Sequence, residues 1–222
     1  MTYSDEALRV ELIETCRAMN RLNITRGASG NISVRSGEGF LVSPTGIPYA
    51  DLTPDLIVYM NMDGTFEGDV LPSSEWQFHR DILSTRPDLN AVVHNHSIHA
   101  TAMAIMGLDI PAIHYSLAAV GGPTIRCAPY ATYGSPELAE NALKALEGRR
   151  ACLLAHHGVI AAHINLTKAL GLAEIVEEMA RLYLLCNGLG QPRVLPDEEI
   201  DIVLGKYKSY GQQPKAAVTS GH

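Results

Sequence analysis

The chain has 222 residues, enough for one well-buried domain and short for two. Its formal net charge is −7 with no run of Lys or Arg, which argues against nucleic acid and anionic membrane surfaces as partners. No apolar stretch approaches the roughly 20 residues that span a bilayer, and the first six residues lack the basic and apolar regions of a signal peptide. The four cysteines, Cys16, Cys127, Cys152 and Cys186, form no CxxC pair, so reduced thiols in a cytoplasmic protein are expected.

Residues 5–22 predict an amphipathic helix, with Leu8, Leu12, Cys16 and Met19 at helical spacing and Ser4 as its cap. A tight loop, Gly27-Ala28-Ser29-Gly30-Asn31, leads into a strand on which Ile32 and Val34 alternate with Ser33 and Arg35. A turn over residues 36–39 joins it to a short strand, Phe40-Leu41-Val42. Another turn, Ser43-Pro44-Thr45-Gly46, precedes a third strand over residues 56–60. Ser74 is the predicted cap of a helix over residues 75–84, which Arg86-Pro87 ends. A strand over residues 91–94, a helix over 99–106 and a strand over 124–128 follow. Ser135 and Pro136 then open a helix that runs to Leu146. Strands over 152–155 and 159–162 flank His156-His157-Gly158. A long helix over 166–186 places Leu170, Ala173, Val176, Ala180 and Leu184 on one face, and a last helix covers 197–209. Residues 1–210 are expected to form a single domain and residues 211–222 a flexible tail.

The most informative segment is Val92-Val93-His94-Asn95-His96. Residues two apart on a strand face the same way, so His94 and His96 project together from an apolar segment, where unpaired imidazoles are costly. They form half of a metal site. His156 and His157 are adjacent, so on an extended chain at most one of them joins it. His99 is a candidate fourth ligand by proximity alone, while His79, His114 and His163 read as surface or supporting groups. Glu75 reads either as a ligand or catalytic base, or as an acidic residue favoured by a helix N-terminus. The loops at 27–31 and 43–46, with Ser73 and Ser74 at a helix start, have the composition of anion cradles. Their glycine spacings match neither a Walker loop nor a dinucleotide fingerprint, and each alone reads as an ordinary turn.

Taken together, Gly27–Arg35, Ser43–Tyr49, Leu71–Trp76, Ala91–His96, Ile110–Tyr115, Pro129–Gly134 and His156–Gly158 resemble the class II aldolase/adducin family, most closely its L-fuculose-1-phosphate aldolase branch. The resemblance runs from about Leu8 to Tyr210. It implies a three-layer α/β/α domain with a central mixed, mostly antiparallel sheet, assembled as a C4 homotetramer with active sites between subunits. It implies one divalent metal ion per subunit, most naturally Zn2+ with Co2+ or Mn2+ as alternatives, held by His94, His96 and His157. By the same resemblance Glu75 ligates the metal at rest and serves as acid/base once substrate displaces it. Asn31, Thr45, Gly46, Ser73 and Ser74 match the phosphate pocket, Tyr115 a tyrosine reaching in from the neighbouring subunit, and Tyr210 a C-terminal tyrosine that helps close the site.

The implied activity is reversible cleavage of a ketose 1-phosphate to dihydroxyacetone phosphate and an aldehyde. Tyr133 stands where the fuculose-type pattern has phenylalanine, near the aldehyde end, so 5-deoxyribulose 1-phosphate and 5-methylthioribulose 1-phosphate are alternative substrates. Two other readings belong to the same scaffold. One is an L-ribulose-5-phosphate 4-epimerase or methylthioribulose-1-phosphate dehydratase. The other is a non-catalytic adducin-type module, a class lacking the complete set of three histidines and a carboxylate present here.

Overall fold

Helix α1 (Tyr3–Arg21) fully buries Leu12, Cys16 and Met19, the stripe expected from their spacing. This computed structural model describes residues 3–207 and residue 209. The helix starts two residues earlier than predicted, so Ser4 lies within it. Strands β1 (Asn31–Ser36) and β2 (Gly39–Val42) form the expected hairpin, with Ser36 opposite Gly39. Strand β3 (Val58–Asn61) begins two residues later than predicted. Pro54 opens a short 3-10 turn instead, and the Leu56 and Ile57 N–H groups bond back to the Thr53 and Pro54 carbonyls.

Helix α2 (Trp76–Thr85) precedes strand β4 (Ala91–Asn95) and helix α3 (Ile98–Ile105). Strands β5 (Ile110–Pro111) and β6 (Thr124–Ala128) flank a 3-10 segment, Tyr115–Val120. The sequence pattern gave no sign of β5 or of this segment. Two residues are too few to show alternation, and the His114 ring, which accepts the Ser116 N–H at 3.3 Å, sets the turn. Helix α4 (Pro136–Ala145) is capped as expected, the Ser135 hydroxyl accepting the Leu138 N–H at 3.2 Å. Strands β7 (Ala151–Leu154) and β8 (Gly158–His163) lead to α5 (Leu166–Leu189), which Asn165 caps through the Lys168 N–H. Helix α6 (Asp197–Tyr207) leaves Ser209 outside its end.

All eight strands form one sheet in the order β3-β2-β1-β4-β8-β7-β6-β5. Every pairing is antiparallel except β6 with β7, which α4 links by a crossover. Alternation divides the core into two layers. Ile32, Leu41, Val93, Leu153 and Val159 pack with Leu12 of α1, Met103 of α3, Val176 of α5 and Ile200 of α6. Phe40, Met60, Val92, Cys152 and Ile160 pack on the opposite face with Phe78 and Ile82 of α2 and with Leu138 and Ala142 of α4. The result is a three-layer α/β/α fold on a mixed, mostly antiparallel sheet. The helix face predicted on α5 is correct at its centre, where Ala173, Val176 and Ala180 are buried, and half-exposed at Leu170 and Leu184. All four cysteines are free. Among the described residues no helix is long and apolar enough to cross a membrane.

Strand β4 lies between β1 and β8 and is buried at every position. Two glycines let its C-terminal end be approached closely. A Cβ on Gly30 would lie 2.5 Å from the His94 carbonyl oxygen, and one on Gly158 would lie 2.4 Å from the Asn95 carbonyl oxygen and 2.6 Å from His96 Cδ2. Gly158→Ala is therefore expected to destabilise the chain by about 1–3 kcal/mol and to displace the His96 ring. Urea unfolding and metal titration check this, and a variant matching wild type in both would show that the β4–β8 end yields without cost.

Candidate metal centre

The end of β4, the β7–β8 turn and the N-terminus of α2 meet on the sheet face covered by α2 and α4. His94 shares the face of Val92, is 0% exposed, and sets its ring edge-on against Phe78 with centroids 5.4 Å apart. Its Nδ1–H donates to the Val159 carbonyl at 2.9 Å, which leaves the Nε2 lone pair directed outward. His96 lies one residue beyond the strand, and its Nε2 is 2.9 Å from His94 Nε2. His156 takes φ +55° in the turn, so the extended-chain rule for adjacent histidines does not govern there. The turn brings His157 to the cluster, its ring 4.8 Å from that of His94 and 5.1 Å from that of His96. One nitrogen from each of His94, His96 and His157 lies within 4.8 Å of the others.

Glu75 completes the cluster. It is the residue that precedes the first turn of α2, yet its side chain makes no capping bond. Ser74, the predicted cap, does not serve as one; the Ser73 hydroxyl accepts the Glu75 N–H at 3.3 Å. The carboxylate turns inward, with Oε2 at 3.3 Å from His94 Nε2 and Oε1 at 3.3 Å from His157 Nε2. Oε2 accepts the Asn31 Nδ2–H at 2.9 Å, whereas buried Oε1 accepts no hydrogen bond. Burial alone would raise the Glu75 pKa. The neighbouring His94 and His157 imidazoles and the Asn31 amide outweigh it and hold the carboxyl well below the usual carboxylate range. Burial also keeps the imidazoles of His96 and His157 neutral, with pKa values pushed down to about 3 and about 4. An anionic carboxylate with an orphaned buried oxygen, facing three convergent imidazoles, fits a divalent transition metal by donor type and charge.

Among the described residues the other histidines do not join. His99 binds Glu177 through Nδ1 at 2.6 Å, and the Glu177 carboxylate also accepts the His99 and Ala100 N–H groups at the start of α3. His114 caps the 3-10 segment, and His163 Nδ1 accepts the Ile164 N–H at 2.8 Å. His79 is no surface group: it is fully buried one helical turn after Glu75, bonded to Ser33 and Asn31. Burial pushes its pKa down from 6.5 to about 3. A histidine depressed in this way contributes stability that is complete above its unfolded pKa and is lost as pH falls toward its folded one. Metal-free protein should lose up to about 1.4 kcal/mol per pH unit for this histidine as pH falls below 6.5. Urea unfolding at about pH 7 and about pH 5 checks it, and equal stabilities would contradict it.

A cavity of about 330 Å³ opens beside the cluster, lined by Glu75, His96 and His157 together with Ser74, Tyr130 and Tyr133. Ser29, from the 27–31 loop read as an anion cradle, and His156, the alternative to His157, also reach it, as does Tyr130, which the sequence alone gave no role. The 43–46 loop is tied to the segment that carries Ser73 and Ser74. Pro44 bridges Pro72, the Thr45 N–H donates to the Leu71 carbonyl at 3.1 Å, and the Ser73 N–H donates to the Ser43 carbonyl at 3.0 Å. This brings the 43–46 turn alongside Ser73 and Ser74, with Asn31 held to Glu75. Tyr115 is 53% exposed and does not line its own chain's cavity. Tyr210 lies outside the described residues.

Three convergent imidazoles, His94 buried and His96 and His157 half-buried, with one buried carboxylate at the edge of a cavity on an α/β/α sheet, are compatible with the divalent-metal site of an enzyme. The chain belongs to the Class II Aldolase and Adducin N-terminal domain family, whose model matches residues 10–184. It is 52% identical over 202 residues to the L-fuculose phosphate aldolase of Escherichia coli strain K12, covering 90% of this chain and 94% of that protein. It is 48% identical over 211 residues to a 5-methylthioribulose-1-phosphate/5-deoxyribulose-1-phosphate aldolase of Rhodospirillum rubrum, covering 95% and 96%. A solved L-fuculose 1-phosphate aldolase superposes with a TM-score of 0.89 at 42% identity, over 94% of this chain and 98% of that one.

Proposed function

We propose that this chain is a divalent-metal-dependent aldolase that reversibly cleaves a ketose 1-phosphate to dihydroxyacetone phosphate and an aldehyde. The observation that carries the reading is Glu75, a buried carboxylate with one oxygen held by Asn31 and the other orphaned beside His157, at the edge of the cavity. The names of the relatives support the substrate class. His94, His96 and His157, with Glu75 at rest, would hold the metal, for which Zn2+ suits the donor set best. When bound, such a cation supplies Lewis-acid stabilisation of the negative charge that develops beside the substrate carbonyl.

The chain's own groups do the rest. Glu75 removes the proton from the carbon next to the carbonyl in the synthetic direction and returns it in cleavage, a role that its anionic state and position allow. Asn31, Thr45, Gly46, Ser73 and Ser74 hold the phosphate, so that binding energy from a remote group keeps the reacting carbons in register. Tyr115, exposed on its own chain, moves the proton on the aldehyde-side oxygen of a neighbouring subunit's substrate in a C4 homotetramer, and Tyr210 helps close that site. Among the described residues, none lining the cavity is a lysine that could form a Schiff base. Tyr133, 67% exposed on the cavity wall, meets the aldehyde tail and selects among substrates. Enzyme-coupled detection of dihydroxyacetone phosphate from L-fuculose 1-phosphate, 5-deoxyribulose 1-phosphate and 5-methylthioribulose 1-phosphate tests the proposal. Release ranks the tails. No release from any of the three overturns the aldolase reading, because neither an epimerase nor a dehydratase yields this product.

A further inference from the structure

The buried face between β1 and α2 carries a chain of polar groups that ends at Glu75. Ser33 Oγ lies 2.7 Å from His79 Nδ1, His79 Nε2 lies 2.6 Å from Asn31 Oδ1, and Asn31 Nδ2 lies 2.9 Å from Glu75 Oε2. Ser33 and His79 are 0% exposed, and Asn31 and Glu75 are 5% exposed. Asn31 and Ser33 share one strand, while Glu75 and His79 are four residues apart along α2, so two rigid elements fix the spacing.

The direction of this chain is set at one end. A carboxylate only accepts, so the Asn31 atom facing it is the Nδ2 donor. The Asn31 carbonyl oxygen therefore faces His79, and His79 Nε2 carries the hydrogen. Nδ1 is then a bare lone pair that accepts the Ser33 hydroxyl hydrogen. The reverse tautomer would set His79 Nε2 against the Asn31 oxygen, lone pair to lone pair. Turning the amide over to relieve that contact would set its oxygen against the Glu75 carboxylate, two buried acceptors without a proton between them.

We infer that Ser33, His79 and Asn31 form a one-way hydrogen-bond relay that presents a fixed N–H to Glu75, with His79 as a positioning residue for the proton transfer at Glu75. The inference rests on the aldolase reading for its catalytic consequence and on the donor order alone for its geometry. His79 touches neither cavity nor imidazole cluster by hydrogen bond, and acts through Asn31. With the relay intact, the carboxylate keeps one oxygen tethered while the other stays free to face the metal or the substrate carbon.

Two measurements on the full chain test it. Nitrogen-15 NMR of histidine-labelled, metal-free protein near neutral pH should find His79 neutral and protonated on Nε2. A ring protonated on Nδ1, or on both nitrogens, overturns the relay. In kinetics, His79→Leu should lower kcat by about 10–100-fold, with KM and bound metal within about threefold of wild type. His79→Gln, whose amide N–H reaches for the Asn31 oxygen, should recover most of that loss. Equal impairment of both variants, or a loss of metal alone, would make His79 merely structural and overturn the inference. If His79→Leu does not fold, Ser33→Ala replaces it. That variant removes the donor to Nδ1 but leaves the Asn31 oxygen in place, so His79 should stay protonated on Nε2, and a ring carrying its hydrogen on Nδ1 would overturn the relay. A wild-type chain that releases no dihydroxyacetone phosphate would sink the aldolase reading and leave the NMR result to decide the relay.

Discussion

Replacing Glu75 by glutamine should slow dihydroxyacetone phosphate release by about 10²–10⁴-fold, the usual contribution of a positioned acid/base. The substitution keeps shape and removes the charge and the proton-accepting oxygen. The glutamine amide oxygen can still accept the Asn31 N–H, so the link from α2 to β1 survives. What is lost is the second oxygen, orphaned 3.3 Å from His157 Nε2 and free to take a proton. The substitution cuts no core side chain and removes no helix cap, so the fold should be kept. Steady-state rates with metal content measured alongside separate chemistry from loading. A variant that turns over at the wild-type rate would remove Glu75 from the mechanism.

The second large effect is expected at His94. His94→Ala removes the imidazole whose orientation is fixed at both ends, by the Val159 carbonyl on one nitrogen and by the cluster on the other. Loss of an outer hydrogen-bond partner of a metal ligand typically costs about 10–100-fold in affinity, and loss of the ligand should exceed that. The same change opens a gap beside Phe78, so a fall in stability accompanies it. His156→Asn is the matched control. Its backbone, at φ +55°, suits asparagine, and its ring faces Tyr130 and not the cluster. It should retain bound metal. Metal titration of both proteins settles the pair: retention by His94→Ala, or loss by His156→Asn, would contradict the ligand set of His94, His96 and His157.

The metal strand was legible because its signal is local. Alternation over Val92–His96 puts two imidazoles on one side of a strand buried on both faces, and the fold keeps them there. The third histidine was not readable from spacing. Its arrival depends on β4 pairing with β8, Asn95 opposite Val159, and on a left-handed residue at His156 that no strand pattern announces. Resemblance alone preferred His157 to His156. Glu75 had a bland alternative as a first-turn acid, and the structure departs from it because the carboxylate finds Asn31 and the imidazoles and makes no bond to the helix end. His79 was read as a surface or supporting group, and the structure selects the supporting role, four residues after Glu75. Its partners, Ser33 and Asn31, lie on a strand more than forty residues earlier, with separations of 46 and 48. The sheet order and its single parallel pairing likewise depend on long-range contacts that periodicity does not encode. The families of helices and strands were read well where caps and alternation were strong, as at Ser135 in α4. They were misjudged where a proline turn or a 3-10 segment intervened, as before β3 and at Tyr115.

The three histidines and Glu75 are proposed to form a metal centre at which a carbon–carbon bond is cleaved. The most direct measurement strips the protein with a chelator, adds back Zn2+ in increments, and follows dihydroxyacetone phosphate release from the best of the three sugar phosphates. Stripped protein should release none, and recovery should saturate at one ion per chain. Undiminished release from protein shown to be metal-free, or full loading without release from any of the substrates, would contradict the proposal.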